Sequence, residues 1–281
     1  MFFSNAEVAV ILAENVRNFI YYFGTMIIRK FPKMIIINAL LFFLNIVFAS
    51  ESAFTSGNEN IKNFAKAKKL ALQLHAEHPY TIYCGCKYTG KVIDLKSCGY
   101  KVHKDAKRAA RLEWEHVVPA ENFGRSFKEW REGSEKCFKK GRRLTNRKCA
   151  ETNPEFSHME ADLYNLWPEV GELNGLRSNF SMAALGGPEK NPGGISFGGC
   201  KAVVADRKFE PMDLAKGIVA RVHLYMDQAY PGHGIISGKN SKLFDAWDKQ
   251  FPVTDWECRR AAKIKMIQGG ENPILEKRCA R

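Results

Sequence analysis

Cysteine usage constrains the fold of this 281-residue chain more than any other feature. All eight cysteines lie between residues 84 and 279, behind an apolar run over residues 35–48. An even number of cysteines behind such a run indicates disulfides formed in an oxidising compartment. Zinc binding is the alternative, but Cys84-Gly-Cys86 has the wrong spacing for a zinc site and the sequence contains no Cys-x-x-Cys pair. The sequence alone does not assign the individual pairs.

The apolar run is typical of an export signal. Three basic residues between positions 29 and 33 precede it, and the small residue Ala49 at its end suits cleavage. The run is shorter than the roughly 20 residues of a bilayer span, so we expect no membrane span in the mature protein, with an uncleaved anchor as the alternative. We interpret residues 1–49 as a targeting segment, with Met26 or Met34 as alternative starts, and we expect a periplasmic or secreted protein.

The residues after the targeting segment are enough for one domain with a substantial core, since 281 − 49 leaves 232. We expect a flexible leader over residues 50–60 and a single folded domain over residues 61–281. Apolar spacing and capping residues predict helices over residues 61–77, 157–167, 213–228, 241–250 and 254–266. Stretches rich in β-formers predict strands over residues 80–83, 92–95 and 112–118. The expected fold is therefore a mixed α+β domain, rich in helix and stabilised by disulfides.

Positive charge is the second constraint. The chain has a net charge of +13, and because residues 1–49 hold four basic and two acidic groups, 39 − 28 = +11 remains afterwards. Seven basic residues and no acidic residue lie between Lys136 and Lys148. A surface of this kind attracts polyanions through electrostatic steering and counterion release. A solvated face that aids solubility is the alternative, and anionic membranes or cell-surface polymers are alternative partners.

The segment Arg111–Ala120 carries the residues best suited to catalysis. Glu113 and Glu115 offer hard oxygen ligands for a divalent cation, and a neutral His116 can accept a proton from water. Together they would support metal-assisted hydrolysis. In a regular strand His116 points away from the two carboxylates, so one shared site requires a bend or the strand's end. Surface carboxylates beside a hydrogen-bonded core histidine are the alternative.

A second candidate is Asn165, which lies three residues before Pro168. We place it near the end of the helix that a capping box at Ser157 and Glu160 predicts. Apolar neighbours would half-bury its amide, which then needs partners, and a metal ion is one such partner. A hydrogen bond at the helix end is the alternative.

Several motifs now stand in an order that resembles the bacterial endonuclease I family. They span the chain from about residue 61 to the C-terminus: Tyr83–Cys86, Asp94–Tyr100, Glu113–Ala120, Met159–Pro168, Gly171–Phe180 and Pro252–Cys258. The family consists of periplasmic or secreted non-specific nucleases of the ββα-metal type. The resemblance implies that fold around the site, with His116 and Glu115 at the end of a hairpin and Asn165 on the helix that crosses it.

The resemblance also implies roles for particular residues. His116 is similar to the family's general base, while Glu115 and Asn165 resemble its ligands of one Mg²⁺ ion, with Ca²⁺ or Mn²⁺ as alternatives. Arg143, six residues after Cys137, resembles the arginine that contacts the phosphate. The stretch before it is longer than in the family, which leaves Arg142 as a competitor. The cysteines resemble those of members with four disulfides.

One further position is less certain from the sequence. Arg177, in the Gly171–Phe180 motif, is a candidate phosphate contact, and a structural ion pair is its alternative. The combined expectation is a monomeric, Mg²⁺-dependent endonuclease that cleaves double- and single-stranded DNA, and also RNA, without sequence specificity. The alternative function is an exported, non-catalytic protein that binds nucleic acid or another polyanion.

Overall fold

The computed structural model describes residues 57–280, and the predicted targeting segment 1–49 lies outside them. Within this range, no helix combines the length and the apolar character needed to cross a membrane. The last four residues of the expected leader, 57–60, do pack against the domain. Asn58 is buried, and its side-chain amide donates to the carbonyls of Ile61 and His158 at 2.7 and 2.8 Å. The packed chain therefore starts before Ile61.

The described residues form a mixed helix and sheet domain. Its helices are α1 (Phe64–Leu74), α2 (Ala106–Ala109), α3 (Ala120–Gly124), α4 (Lys128–Arg131), α5 (Asn146–Ala150), α6 (Pro154–Glu160), α7 (Gly171–Arg177), α8 (Asp213–Ala229), α9 (Gly238–Gln250), α10 (Asp255–Gln268) and α11 (Pro273–Cys279). Its strands are β1 (Lys87–Thr89), β2 (Val92–Asp94), β3 (Leu112–His116), β4 (Phe138–Lys139), β5 (Arg142–Arg143), β6 (Leu166–Val170), β7 (Ser181–Met182), β8 (Ile195–Phe197), β9 (Cys200–Ala205) and β10 (Lys208–Glu210). The expected α+β class is confirmed.

Pairing of β3 with β6 brings two distant motifs together. The two strands are antiparallel, with Leu112 opposite Val170 and His116 opposite Leu166. Because β6 runs directly into α7, that helix packs against β3 beside its catalytic candidates. The other strands form the hairpins β1–β2 and β4–β5 and a separate sheet in the order β7-β10-β9-β8.

Four disulfides account for all eight cysteines, which confirms the expected disulfide chemistry. Cys84–Cys200 joins distant parts of the domain, whereas the other three close short loops: Cys86–Cys98, Cys137–Cys149 and Cys258–Cys279. A bond across a long loop removes much of the conformational entropy of the unfolded chain. Cys84–Cys200 is therefore the cross-link with the largest expected effect on stability.

Most predicted helices are present with similar bounds, but the helix predicted from Ser157 is wrong. Asn153 is the N-cap, because its side chain accepts from the backbone of Glu155 and Phe156, and Pro154 occupies the first turn. The helix consequently starts earlier and ends at Glu160. Asn165 therefore lies in the turn before β6 and not on a helix.

The strand predicted over residues 80–83 is also wrong. Tyr80 makes a single bridge to Lys87, and the chain then turns, with the Thr81 N–H donating to the Cys86 carbonyl at 2.9 Å. Gly85 adopts a φ of 64°, which glycine tolerates far better than the β-branched residues of a strand.

Glu172 fixes the start of α7 to the loop that precedes α2. Its buried carboxylate accepts hydrogen bonds from the backbone N–H groups of His103, Lys104 and Asp105 at 3.0, 2.7 and 2.6 Å. The Tyr100 hydroxyl donates to the same group at 3.1 Å. Three backbone donors would therefore lose their partner if this carboxylate were removed.

We expect Glu172→Ala to lower the free energy of unfolding by on the order of 3 kcal/mol, because hydrogen bonds to a charged group disappear and buried donors remain. Thermal or urea unfolding of the oxidised protein measures this loss. Glu189→Ala, which removes an exposed carboxylate, serves as the control. Equal stability of the two variants would contradict the role given to Glu172.

Candidate active site

Strand β3 and the helices α1, α5 and α7 border a cleft of ≈ 870 Å³. Its positively charged side chains greatly outnumber its two carboxylates, Glu113 and Glu115. The positive lining comprises Lys68, Lys69, Lys91, Arg108, Arg111, Arg147 and Arg177. An anionic substrate is therefore favoured electrostatically throughout the cleft.

His116 lies at the last position of β3, which allows it to share the cleft with Glu115. Its Nε2 atom is 2.8 Å from the backbone carbonyl of Glu160. A carbonyl can only accept, so Nε2 carries the proton and Nδ1 is left as an acceptor. Burial lowers the pKa of His116 to about 3, and the positive charges of Arg147 and Arg177 act in the same direction. The imidazole is consequently neutral at neutral pH.

Glu115 is buried beside His116 but has one oxygen available. Its Oε1 accepts from the Tyr83 hydroxyl at 2.7 Å and lies 3.1 Å from Nη1 of Arg177. No residue in the described range 57–280 donates to its Oε2. Burial raises the pKa of Glu115 to about 6, while Arg177 and Tyr83 oppose that rise. The carboxylate can thus present an oxygen to a cation in the cleft.

Arg177 acts on the protein itself, which favours the structural alternative over the predicted phosphate contact. Its side chain is 1% exposed. Nη1 donates to the carbonyl of His116 at 3.2 Å and Nη2 to that of Val117 at 2.6 Å, beside the ion pair with Glu115. One guanidinium therefore fixes both the backbone and a carboxylate at the end of β3.

Asn165 does not line the cleft, contrary to the role expected for it. It is fully buried, and its amide pairs with the backbone of Val118 in both directions: Oδ1 accepts at 2.7 Å and Nδ2 donates at 2.9 Å. Asn165 therefore holds the chain immediately after His116. The polar partner expected for this amide is the backbone.

Asn174 lies on a helix beside the cleft, where Asn165 was expected, and no sequence argument had singled it out. It lies on α7 and lines the cleft with Glu115 and His116. Its Nδ2 donates to Glu113 at 3.1 Å, and its Oδ1 receives no hydrogen bond from the residues the structure describes. The amide oxygen is therefore free to bind a ligand.

Two glycines of α7 allow this helix to pack closely against Arg108 of α2. A Cβ atom at Gly171 would lie 2.6 Å from the Arg108 carbonyl, and one at Gly175 would lie 2.1 Å from the Arg108 guanidinium. Both separations are far below van der Waals contact. The pair of glycines around Asn174 was the sequence signal that could have identified this residue.

Glu113 orients Asn174 from the neighbouring strand. Its carboxylate accepts from Arg108 at 2.9 and 3.0 Å and also from Arg111. Burial alone would raise the pKa of Glu113, but these hydrogen bonds lower it on balance. Since both of its oxygens are already bound, Glu113 is better placed to hold the amide of Asn174 than to bind a cation.

In the loop closed by Cys137 and Cys149, Arg147 lines the cleft, whereas Arg142 and Arg143 do not. Arg143 is exposed and donates to the carbonyl of Glu132 at 2.5 Å. Arg147 forms an ion pair with Glu160 through Nε, and its buried Nη2 has no hydrogen-bond partner within the described range. An unpartnered guanidinium donor at this position suits an incoming phosphate oxygen.

Phe64, at the start of α1, contacts two of these groups. Its ring centroid is 4.9 Å from that of His116, and the Arg147 guanidinium lies 5.0 Å from the same ring. Cation–π attraction and ring packing therefore restrict both side chains. No sequence motif identified Phe64, because it lies about fifty residues before His116.

Comparison with known proteins shows the family of this chain. The sequence pattern of endonuclease I matches residues 45–279. The chain belongs to the endonuclease I family. It is similar to an extracellular deoxyribonuclease of Aeromonas hydrophila, with 41% identity over 226 residues that cover 78% of this chain and 91% of the relative. It is also similar to Endonuclease-1 of Buchnera aphidicola subsp. Acyrthosiphon pisum, with 39% identity, covering 83% of this chain and 88% of the relative.

Membership decides between the two functions expected from the sequence. As a member of the endonuclease I family the chain is a nuclease that acts on phosphodiester bonds, so the alternative of a non-catalytic polyanion binder is set aside. A periplasmic deoxyribonuclease of Aeromonas hydrophila is 38% identical, covering 79% of this chain and 88% of the relative. The expected periplasmic or secreted location is confirmed.

We expect Phe64→Ala to lower kcat on DNA by up to about tenfold, because it removes aromatic packing of roughly 0.5–1.5 kcal/mol that orients His116. KM should change less, since the phosphate-binding cations remain. Initial rates over a range of DNA concentrations separate the two effects. Leu70→Ala on the same helix is the control, because Leu70 does not line the cleft. A larger fall in kcat for that control would contradict a positioning role for Phe64.

Proposed function

We propose that this endonuclease cleaves double- and single-stranded DNA, and also RNA, in a metal-dependent reaction without sequence specificity, with His116 as general base. The observation that carries this proposal is the contact between His116 Nε2 and the carbonyl of Glu160. It commits one ring nitrogen as a donor and leaves Nδ1 as an acceptor in a strongly basic cleft. The names of the related deoxyribonucleases support DNA as substrate.

The base mechanism follows from the state of the imidazole. Nδ1 of His116 accepts a proton from the water molecule that attacks phosphorus, and the Glu160 carbonyl stabilises the imidazolium that forms. General-base catalysis of this kind contributes about 10²–10⁴-fold. Because burial lowers the pKa of His116, the unprotonated form is available without prior deprotonation at neutral pH.

Glu115 and Asn174 are the residues that would hold a divalent cation. Each has an oxygen without a hydrogen-bond donor in the described range, and both line the same cleft. This donor set fits Mg²⁺, which prefers oxygen ligands and keeps several waters, with Ca²⁺ or Mn²⁺ as alternatives. When bound, such an ion neutralises charge that develops on the phosphate. We propose Asn174 in place of Asn165, whose amide is bound to Val118.

Arg147 is the proposed phosphate contact, in place of Arg143. Its free Nη2 donor and its position in the cleft support this role. The other cleft cations, including Lys68 and Lys91, extend the positive surface along the substrate. Contacts to phosphates position a nucleic acid but carry no sequence information, which supports low specificity. The same contacts do not distinguish the sugar, which supports activity on RNA.

For the general base, we expect His116→Ala to lower kcat by about 10²–10⁴-fold while binding of DNA persists. Plasmid nicking in the presence of Mg²⁺, with an EDTA arm, measures the fall in rate. His103→Ala, which removes an exposed histidine outside the cleft, controls for the substitution itself. A wild-type rate in the His116 variant would refute the mechanism.

For the metal ligands, we expect Asn174→Ala to raise the Mg²⁺ concentration at half-maximal activity by at least about tenfold, with partial rescue at high Mg²⁺. Asn165→Ala should instead lower the melting temperature, because it leaves the buried backbone groups of Val118 without partners. Its Mg²⁺ dependence should match that of the wild type. The assignment fails if the two variants exchange these phenotypes.

A further inference from the structure

The disulfide Cys137–Cys149 closes a loop that projects a short β-hairpin. In the hairpin β4 pairs with β5, with Phe138 opposite Arg143. We call residues 137–149 the basic hairpin. The Leu144 N–H donates to the Cys137 carbonyl at 2.5 Å, which continues the pairing to the disulfide. The loop is therefore braced at its base by a covalent bond and a backbone hydrogen bond.

The turn at the tip of the basic hairpin contains a lysine, Lys140, in a backbone conformation that is unfavourable for this residue. Lys140 and Gly141 join the strands, and both have positive φ, 52° and 73°. A two-residue turn of this kind strongly prefers asparagine followed by glycine, because few other residues tolerate this region. A lysine at position 140 is unfavourable for the turn, so its charge has no evident structural purpose there.

The charges of the basic hairpin are not neutralised by neighbouring carboxylates. Lys140 and Arg142 are exposed, and neither forms an ion pair with a residue of the described range. Arg143 donates only to a backbone carbonyl. By contrast, Lys148 at the base of the loop pairs with Glu151. The far end of the hairpin thus carries an uncompensated positive field that suits a polyanion.

An exposed aromatic ring accompanies these cations. Phe138 is 58% exposed, and as the cross-strand partner of Arg143 it lies on the same face of the hairpin. Surfaces that bind single strands combine a basic track with aromatic rings on which bases stack. An exposed phenylalanine beside arginine matches that chemistry better than it matches a purely solvated face.

The basic hairpin is continuous with the active-site cleft, because Arg147 belongs to the same disulfide loop. Arg147 lies five positions after Arg142, so their Cα atoms lie at most about 18 Å apart. A DNA strand rises about 3.4 Å per nucleotide along the duplex axis, so this reach covers roughly five nucleotides.

We propose that the basic hairpin is a second nucleic-acid contact. Lys140 and Arg142 bind backbone phosphates of the substrate strand, with Arg142 at most about five nucleotides from the scissile phosphate. Phe138, on the opposite face of the hairpin from Arg142, stacks on an unpaired base. This inference rests on the proposed nuclease function and adds to it a site outside the cleft. The continuity with the cleft favours a nucleic acid over an anionic membrane as the occupant.

The test measures binding without cleavage, in full-length mature protein carrying His116→Ala. The charge variant is Lys140→Asn with Arg142→Ser, and the asparagine should favour the turn, so loss of the fold is not expected. Lys239→Asn with Lys242→Ser removes two exposed lysines of α9 and gives the same change in net charge. Affinity for duplex and single-stranded DNA is measured over a range of salt concentrations.

We expect the hairpin variant to bind long DNA more weakly, on the order of tenfold. A plot of log affinity against log salt has a negative slope, and its magnitude should decrease by about 0.9 for each duplex phosphate that the variant no longer neutralises. Adding Phe138→Ala should weaken binding of single strands more than of duplexes, because only unpaired bases can stack on the ring.

Three results would overturn the proposal. Unchanged affinity and salt slope would show that the hairpin does not touch DNA. An equal weakening in the Lys239 and Lys242 control would show an effect of net charge alone. Loss of binding to vesicles of anionic lipid, with DNA affinity retained, would assign the hairpin to a membrane surface. Binding is measured in EDTA, and the length of the DNA is checked after each titration, so each result is independent of whether His116 is the catalytic base.

Discussion

The buried guanidinium of Arg177 is the interaction on which the rest of the site depends. It binds the carbonyls of His116 and Val117 and pairs with Glu115, so three groups at the end of β3 share one partner. Removing one member of a buried pair typically costs about 3–5 kcal/mol, because the other charge stays buried without compensation. Disorder at this point would misplace the base and the carboxylate together. The buried charge of Arg177 therefore fixes the side chain of Glu115 and the backbone of His116.

The same burial acts on those two side chains in opposite directions. Loss of water raises the pKa of Glu115 and lowers that of His116, because in each case the charged form is disfavoured. The charge of Arg177 and hydrogen bonding from Tyr83 offset the effect for the carboxylate, whereas the nearby cations strengthen it for the imidazole. The same buried environment thus shifts the two pKa values in opposite directions, which would suit Glu115 as an oxygen ligand and His116 as a proton acceptor. The adjacent positions at a strand end place both beside the substrate.

Local patterns predicted the helices α1, α8 and α10 and the strand β3, because periodicity and capping are short-range properties. The remaining site residues depend on long-range packing. Asn165 and Asn174 each lie within a motif of the family. The N-cap at Asn153 and the pairing of β3 with β6 determine which of the two faces the cleft. The choice between Arg143 and Arg147 depends on how a disulfide loop folds back. Residue spacing carries no information about that path.

Glu160 contacts both His116 and Arg147, which are distant from each other in the sequence. Its backbone carbonyl accepts from His116, and its carboxylate pairs with Arg147, so one residue at the end of α6 orients both the proposed base and the proposed phosphate contact. Phe64 packs against the same two side chains from α1. Because Arg147 also belongs to the basic hairpin, a strand held by the hairpin is linked through a short stretch of chain to the group beside His116. The proposed strand contact outside the cleft and the proposed chemistry inside it would therefore both depend on the loop closed by Cys137 and Cys149.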